Sequence, residues 1–170
     1  NIDIFFLHSI EDLKKTGAEI LIDWLKSLKS RGLIQQIGLS IYDIDDFTHI
    51  PKGLINAVQL PLSIYNQEHL IEGTILDFRE KGISIYARSI FLQGLLLTKS
   101  NTWPKWISTH SLKRHEKLEH MCKQSNNSLL DISLDFIKKQ TLLNGIIVGI
   151  SSRSEFKEIV RSWNRPIINH

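Results

Sequence analysis

The sequence predicts an α/β fold built on a parallel sheet, and three features of its 170 residues carry that expectation. Short apolar runs recur along the chain, each ending on a polar residue. An amphipathic stretch follows most of them, and a glycine closes several of these stretches before the next run. The first run, Ile2 with Ile4, Phe5, Phe6 and Leu7, is continuous rather than alternating, as suits a strand covered on both faces. His8 follows at the carboxyl end of that strand, the edge of a parallel sheet where ligands and catalytic groups collect.

Each later element has its own signal. Residues 19–32 place Ile20, Leu21, Trp24, Leu25 and Leu28 on one helical stripe, with Lys26, Lys29 and Arg31 away from it and Gly32 as the C-terminal cap. Residues 33–40 form a strand ending at Ser40. Residues 43–50 read as a short helix with acidic residues in its first turn. Residues 54–66 are the next strand and its exit, 69–82 a helix closed by Gly82, and 83–90 a strand. The rhythm then breaks. Residues 90–110 are a long apolar and aromatic insertion holding Trp103 and Trp106. Helices follow at 111–125 and 128–140, a last strand at 144–152 and a last helix at 152–163. That makes about five βα units, where a closed barrel needs eight strands.

Composition sets the outer bounds. A chain of this length with 42% hydrophobic residues is expected to fold as a single domain, 1–170, with a core that needs no staples. The one cysteine, Cys122, permits no internal disulfide and fits a reducing, cytoplasmic setting. No apolar run approaches the roughly 20 residues of a membrane span. The net charge of +3 is spread among mixed signs without a basic stripe, so neither nucleic acid nor membrane is an expected partner. Asn1, not Met, stands at the lip of a core strand, so an excerpt of a longer chain, or one that has lost its front, is expected.

Several stretches together resemble the aldo-keto reductases. "IDIFFLHSIED" resembles that family's strand four, and "LKSLKSRGLIQQIGLSIYD" its next helix and strand five. "INAVQLPLSIYN" resembles strand six, and "GISIYARSIFLQGLLL" strand seven with its loop. "LDISLDFIKKQTLLNGIIVGISSRSEFKEI" resembles the last strand and its flanking helices. The resemblance implies a partial (β/α)8 barrel, about five βα units spanning strands four to eight, and a parent that reduces an aldehyde or ketone with NADPH. The catalytic tyrosine, its lysine and an aspartate belong to strands one to three, which this sequence does not match. The chain by itself is therefore expected to be inactive. The alternative is a non-catalytic relic that keeps a partial nucleotide site or serves in assembly.

The same resemblance assigns residues. His8 takes the place of the histidine that polarises the substrate carbonyl. Ser40 and Gln59 match the positions that hydrogen-bond the nicotinamide carboxamide, although Ile41 replaces the usual asparagine. Arg88 stands where many members stack an aromatic on the nicotinamide, a task a planar guanidinium also performs; the other reading pairs it with a carboxylate. Ser89, Phe91, Gln93 and Gly94 follow in the loop that touches the pyrophosphate. Gly149, Ser151, Ser152, Arg153 and Glu158 fall at the turn and helix that hold the adenosine 2′-phosphate, which favours NADP(H), although Ile159 replaces an asparagine there.

Other features are read from the residues alone. Ser152 with Glu155 fits a capping box. Trp103 and Trp106 either line a pocket or pin the insertion. His115 and His120, with Glu116 and Glu119, lack the spacing of a metal site, and none is expected. The expected partners are a small carbonyl substrate in the parent and, because five strands cannot close a barrel, a second copy or the N-terminal half.

Overall fold

The computed structural model describes residues 1–42 and 50–167, in two compact units. The first holds Asn1–Pro61, Gln67–Arg88 and Leu142–Ile147; the second holds Leu62–Asn66, Ser89–Thr141 and Val148–His170. The short helix expected at 43–50 lies, except for Ile50, outside the described residues.

The first unit is a five-stranded sheet. Its strands are β1 (Ile2–Leu7), β2 (Ile34–Ser40), β3 (Ala57–Pro61), β4 (Ser84–Arg88) and β5 (Gly145–Ile146). All neighbouring pairs are parallel, and the spatial order follows the chain, β1-β2-β3-β4-β5. A doubly wound sheet reverses direction at a switch point; this one never does, which is the winding of a (β/α) barrel.

Helix α1 (Ala18–Ser30) leads into β2, and α2 (Glu68–Ile71) and α3 (Thr74–Glu80) lead into β4. Leu25, Ile75 and Phe78 are buried with Ile37, Leu39, Val58, Leu60 and Ile85 of the strands. The expected apolar stripe of α1 is only partly covered: Leu25 is buried, Trp24 meets Phe5 edge-on at 6.0 Å, and Ile20 and Trp24 stay exposed. β1 likewise departs from a strand buried on both faces. Among the described residues it pairs only with β2, and Ile2 is exposed.

Two expected elements are shorter than their patterns. The single helix at 69–82 is two, because Gly73 sits at φ +77° and takes the chain through a left-handed turn that ends α2. Gly82, at φ +70°, closes α3 as expected, and Ile83 N–H donates back to the Phe78 carbonyl at 2.9 Å. The last strand pairs over only two residues. Tyr86 lies opposite Gly145 and β4 ends at Arg88, so the apolar residues after Ile147 have no ladder to join.

An unforeseen repeat secures the strand entrances. Asn56, just before β3, donates its N–H to the Ile37 carbonyl at 2.8 Å and accepts the Ile37 N–H on its side chain at 3.3 Å. Asn144, just before β5, does the same to Ile85, at 2.7 and 2.9 Å. Each side chain also accepts from a cation of the helix that leads into the neighbouring strand, Lys29 of α1 at 2.6 Å and Arg79 of α3 at 3.3 Å.

The second unit is helical: α4 (Thr109–Gln124), α5 (Leu129–Lys138) and α6 (Arg153–Trp163). Leu96, Leu118, Cys122 and Ile132 form its core, with Ile64, Tyr65 and Leu129 against them. The insertion folds as short 3₁₀ turns at Leu95–Leu97 and Ser100–Thr102.

Candidate active site

Parallel strands bring all their carboxyl ends to one edge, and register decides which side chains share a face. Ser40 lies opposite Gln59, Gln59 opposite Tyr86, and Pro61 opposite Arg88. Leu7 lies opposite Leu39, so His8 is level with Ser40. Strand side chains alternate with a period of two, so Ser40, Gln59 and Arg88 share one face, and His8 follows directly after β1 at the same edge. Lower on that face, Phe6 and Tyr86 meet edge-on at 6.0 Å, passing over Gly38. A Cβ at Gly38 would strike the Phe6 ring and come within 3.0 Å of Ile4.

The four differ in exposure. His8 is exposed, Gln59 and Arg88 are half-buried, and Ser40 is buried. Arg88 meets an aromatic ring and a backbone carbonyl. Its guanidinium lies 4.2 Å from the Tyr42 ring centroid and donates to the Ile41 carbonyl at 3.3 Å. Tyr42 and Ile41 thus set the position of the stacking candidate, and nothing in the sequence pattern signalled that pairing. The Ile41 side chain, where the resemblance calls for asparagine, is buried.

The remaining candidates belong to the second unit. Ser89, Leu92, Gln93 and Gly94 have φ of 56°, 49°, 57° and 90°. Three non-glycine residues in the left-handed region within six positions is a strained backbone. Such strain costs on the order of 1 kcal/mol per residue and gathers where a loop must meet a ligand. Leu92 N–H to the Ser89 carbonyl and Gly94 N–H to the Phe91 carbonyl, both 2.9 Å, hold the loop in shape.

At α6 the expected capping box is half formed. Ser152 Oγ accepts the Glu155 N–H at 3.1 Å. The Glu155 carboxylate, however, reaches one residue further back, to Ser151 N–H at 2.7 Å and Ser151 Oγ at 2.9 Å. The Ser151 backbone and hydroxyl bonds hold Glu155 below the usual carboxylate range. An anion thus already sits at this turn. Gly149, Ser151, Ser152, Arg153 and Glu158 are exposed, and Ile159 is buried.

His115 and Trp103 are taken up in packing and hydrogen bonds. His115 is fully buried; its Nε2 lies 2.8 Å from the Thr98 carbonyl and its Nδ1 3.0 Å from Tyr65 Oη. A carbonyl only accepts, so Nε2 carries the proton, and in the neutral ring Tyr65 donates to Nδ1. Trp103 stacks on His115 at 4.3 Å and donates to the Leu95 carbonyl at 3.0 Å, so it pins the insertion. Trp106 is 80% exposed. Glu119 accepts from Ser100, and His120 is exposed.

The Aldo/keto reductase family model matches residues 1–169. The chain belongs to the aldo/keto reductase family. It is 25% identical to D-arabinose 1-dehydrogenase of Saccharomyces cerevisiae over 180 residues, covering 95% of this chain and 53% of that protein. It is 27% identical to L-galactose dehydrogenase of Arabidopsis thaliana over 172 residues, covering 94% of this chain and 51% of that one. The holo form of an aldo-keto reductase from Bacillus halodurans shares the fold with TM-score 0.71 and 20% identity, over 99% of this chain and 57% of that one. The chain spans about half the length of the curated relatives it matches. Among its described residues, no helix is long and apolar enough to cross a membrane.

Proposed function

We propose that the chain is the C-terminal, cofactor-holding portion of an aldo/keto reductase barrel whose parent is a cytoplasmic enzyme that reduces an aldehyde or ketone with NADPH. The observation that carries this is the alignment of Ser40, Gln59 and Arg88 on one face of the parallel sheet, with His8 directly after β1 at the same edge. The residues fit a nicotinamide. Ser40 offers a hydroxyl and Gln59 an amide, which together match the donor and acceptor of a carboxamide, and Arg88 offers a planar cation to stack. The strained Ser89–Gly94 loop fits close approach to a pyrophosphate. At the 2′-phosphate end the fit rests on Arg153, since Glu155 already holds Ser151. The bound dinucleotide supplies the reducing equivalent. His8 donates a hydrogen bond to the substrate carbonyl oxygen and polarises it. The proton donor is not among these residues, so the chain alone binds cofactor without turning over.

A titration of the purified chain with NADPH and NADH, followed by cofactor fluorescence, tests this. Expected are saturable binding, a preference for NADPH of about tenfold that Arg153→Ala removes, and weaker binding of both by Gln59→Ala. Absence of saturation with either dinucleotide overturns the cofactor reading; equal affinities overturn the NADP preference.

A further inference from the structure

We propose that the helical unit holds a second small-molecule site, separate in chemistry from the nicotinamide edge, that takes a small aromatic carboxylate. The observation is a cavity of about 300 Å³ beside α4, lined by Tyr65, Trp103, Trp106, His110, Ser111 and Arg114 together with leucine and isoleucine side chains. That volume is at the small end of ligand cavities and suits one or two fused rings.

Its walls are fixed before any ligand arrives. Trp103 is clamped between the His115 ring and the Leu95 carbonyl, and Tyr65 is held by His115 Nδ1. Arg114 lies 4.6 Å from the Tyr65 ring centroid and donates to the Ile64 carbonyl at 3.3 Å. That bond uses one of five guanidinium N–H groups, so the fork keeps donors for a carboxylate. Trp106 is the opposite case. A large indole 80% in solvent at a cavity rim has an unclaimed apolar face, which is the stacking surface a flat ring needs.

Charge selects the ligand. Among its described lining residues the cavity has an arginine and a histidine but no Asp, Glu, Asn or Gln. A neutral sugar needs such side chains to accept pairs of hydroxyl protons, and an amine needs a carboxylate. An anion attached to an aromatic ring satisfies Arg114 and Trp106 together. Burial pushes the Tyr65 phenol up to about 12, with Arg114 opposing, so Tyr65 presents a neutral hydroxyl at physiological pH and does not repel the anion.

Calorimetric titration of the chain with 2-naphthoate tests the proposal, with 2-naphthamide and D-arabinose as neutral probes. Expected is saturable naphthoate binding that weakens about tenfold or more for the amide, for Trp106→Ala and for Arg114→Gln, with no response to the sugar. No saturation up to about 10 mM naphthoate, equal binding of acid and amide, or binding of the sugar overturns it. Because the Trp106 side chain is mostly in solvent, Trp106→Ala keeps the fold intact, and unchanged naphthoate affinity in that variant alone refutes the site. The readout does not involve NADPH, so its failure leaves the cofactor reading standing.

Discussion

Asp131 ties three segments of the helical unit with one carboxylate. It accepts from Ser128 N–H at 3.0 Å, Ser128 Oγ and Ser162 Oγ at 2.6 Å, and Arg165 at 2.6 Å. Burial works against its ionisation, but the bonds from Ser128, Ser162 and Arg165 prevail and hold it well below the usual carboxylate range. A carboxylate depressed in the folded state stabilises above its unfolded pKa, and that stability is lost as pH falls through the ordinary carboxylate range toward the folded value. Asp131→Ala is expected to cost about 2 kcal/mol at neutral pH, and the gap to the parent chain to narrow at about pH 2.5. Urea midpoints at the two pH values measure it, and a gap that does not change with pH contradicts the assignment. Residues of this kind differ in how far the sequence betrays them. The Ser128 cap is local and sits in a visible pattern. Tyr65 and His115 lie 50 positions apart, and no periodicity links them. Ser40 and Gln59 were named through the family pattern, but only strand register shows that they stand opposite each other.

At the scale of elements, Asn56 and Asn144 extend the parallel ladder one step below where the strands begin, each replacing a strand residue with an amide that both donates and accepts. Each is expected to contribute about 1 kcal/mol or more, because its loss leaves a half-buried N–H of Ile37 or Ile85 without its acceptor. Asn56→Ala and Asn144→Ala should lower the denaturant midpoint by comparable amounts, and a silent result in both contradicts the shared role. The repeat escaped the sequence because asparagine before a strand also reads as an ordinary turn residue. The elements that were legible, α1, β1 to β4 and α4 to α6, are those whose apolar spacing is set by local geometry. The split at Gly73 and the short β5 were not, because a positive φ and the reach of a partner strand leave no trace in hydrophobic spacing.

For the whole molecule, the strand order leaves β1 and β5 at the two ends of the sheet among the described residues. Exposed Ile2 on β1, and Ile147 and Ile150 beyond β5, add apolar surface to backbone edges that have no partner strand there. We propose that the chain self-associates, or pairs with the N-terminal barrel half where that is present. Light scattering at tens of micromolar, about where weak edge contacts form, should report a species larger than 19.6 kDa; a stable monomer contradicts the edge argument. The five-strand parallel order was legible in the recurrence of apolar runs and glycine stops. The division into a sheet unit and a helical unit was not: the break at residues 90–110 is visible, but which helices pack with the insertion is set by contacts that spacing does not show. Above all, the carboxyl edge of β2, β3 and β4 is proposed to seat a nicotinamide. Hydrogen–deuterium exchange of the chain with and without saturating NADPH tests it directly. Slowed exchange is expected only in the backbone around Ser40–Ile41, Gln59–Pro61, Arg88–Gly94 and Ser151–Arg153, with α4 unchanged. Uniform protection, or none at the ends of β2 and β3, would contradict it.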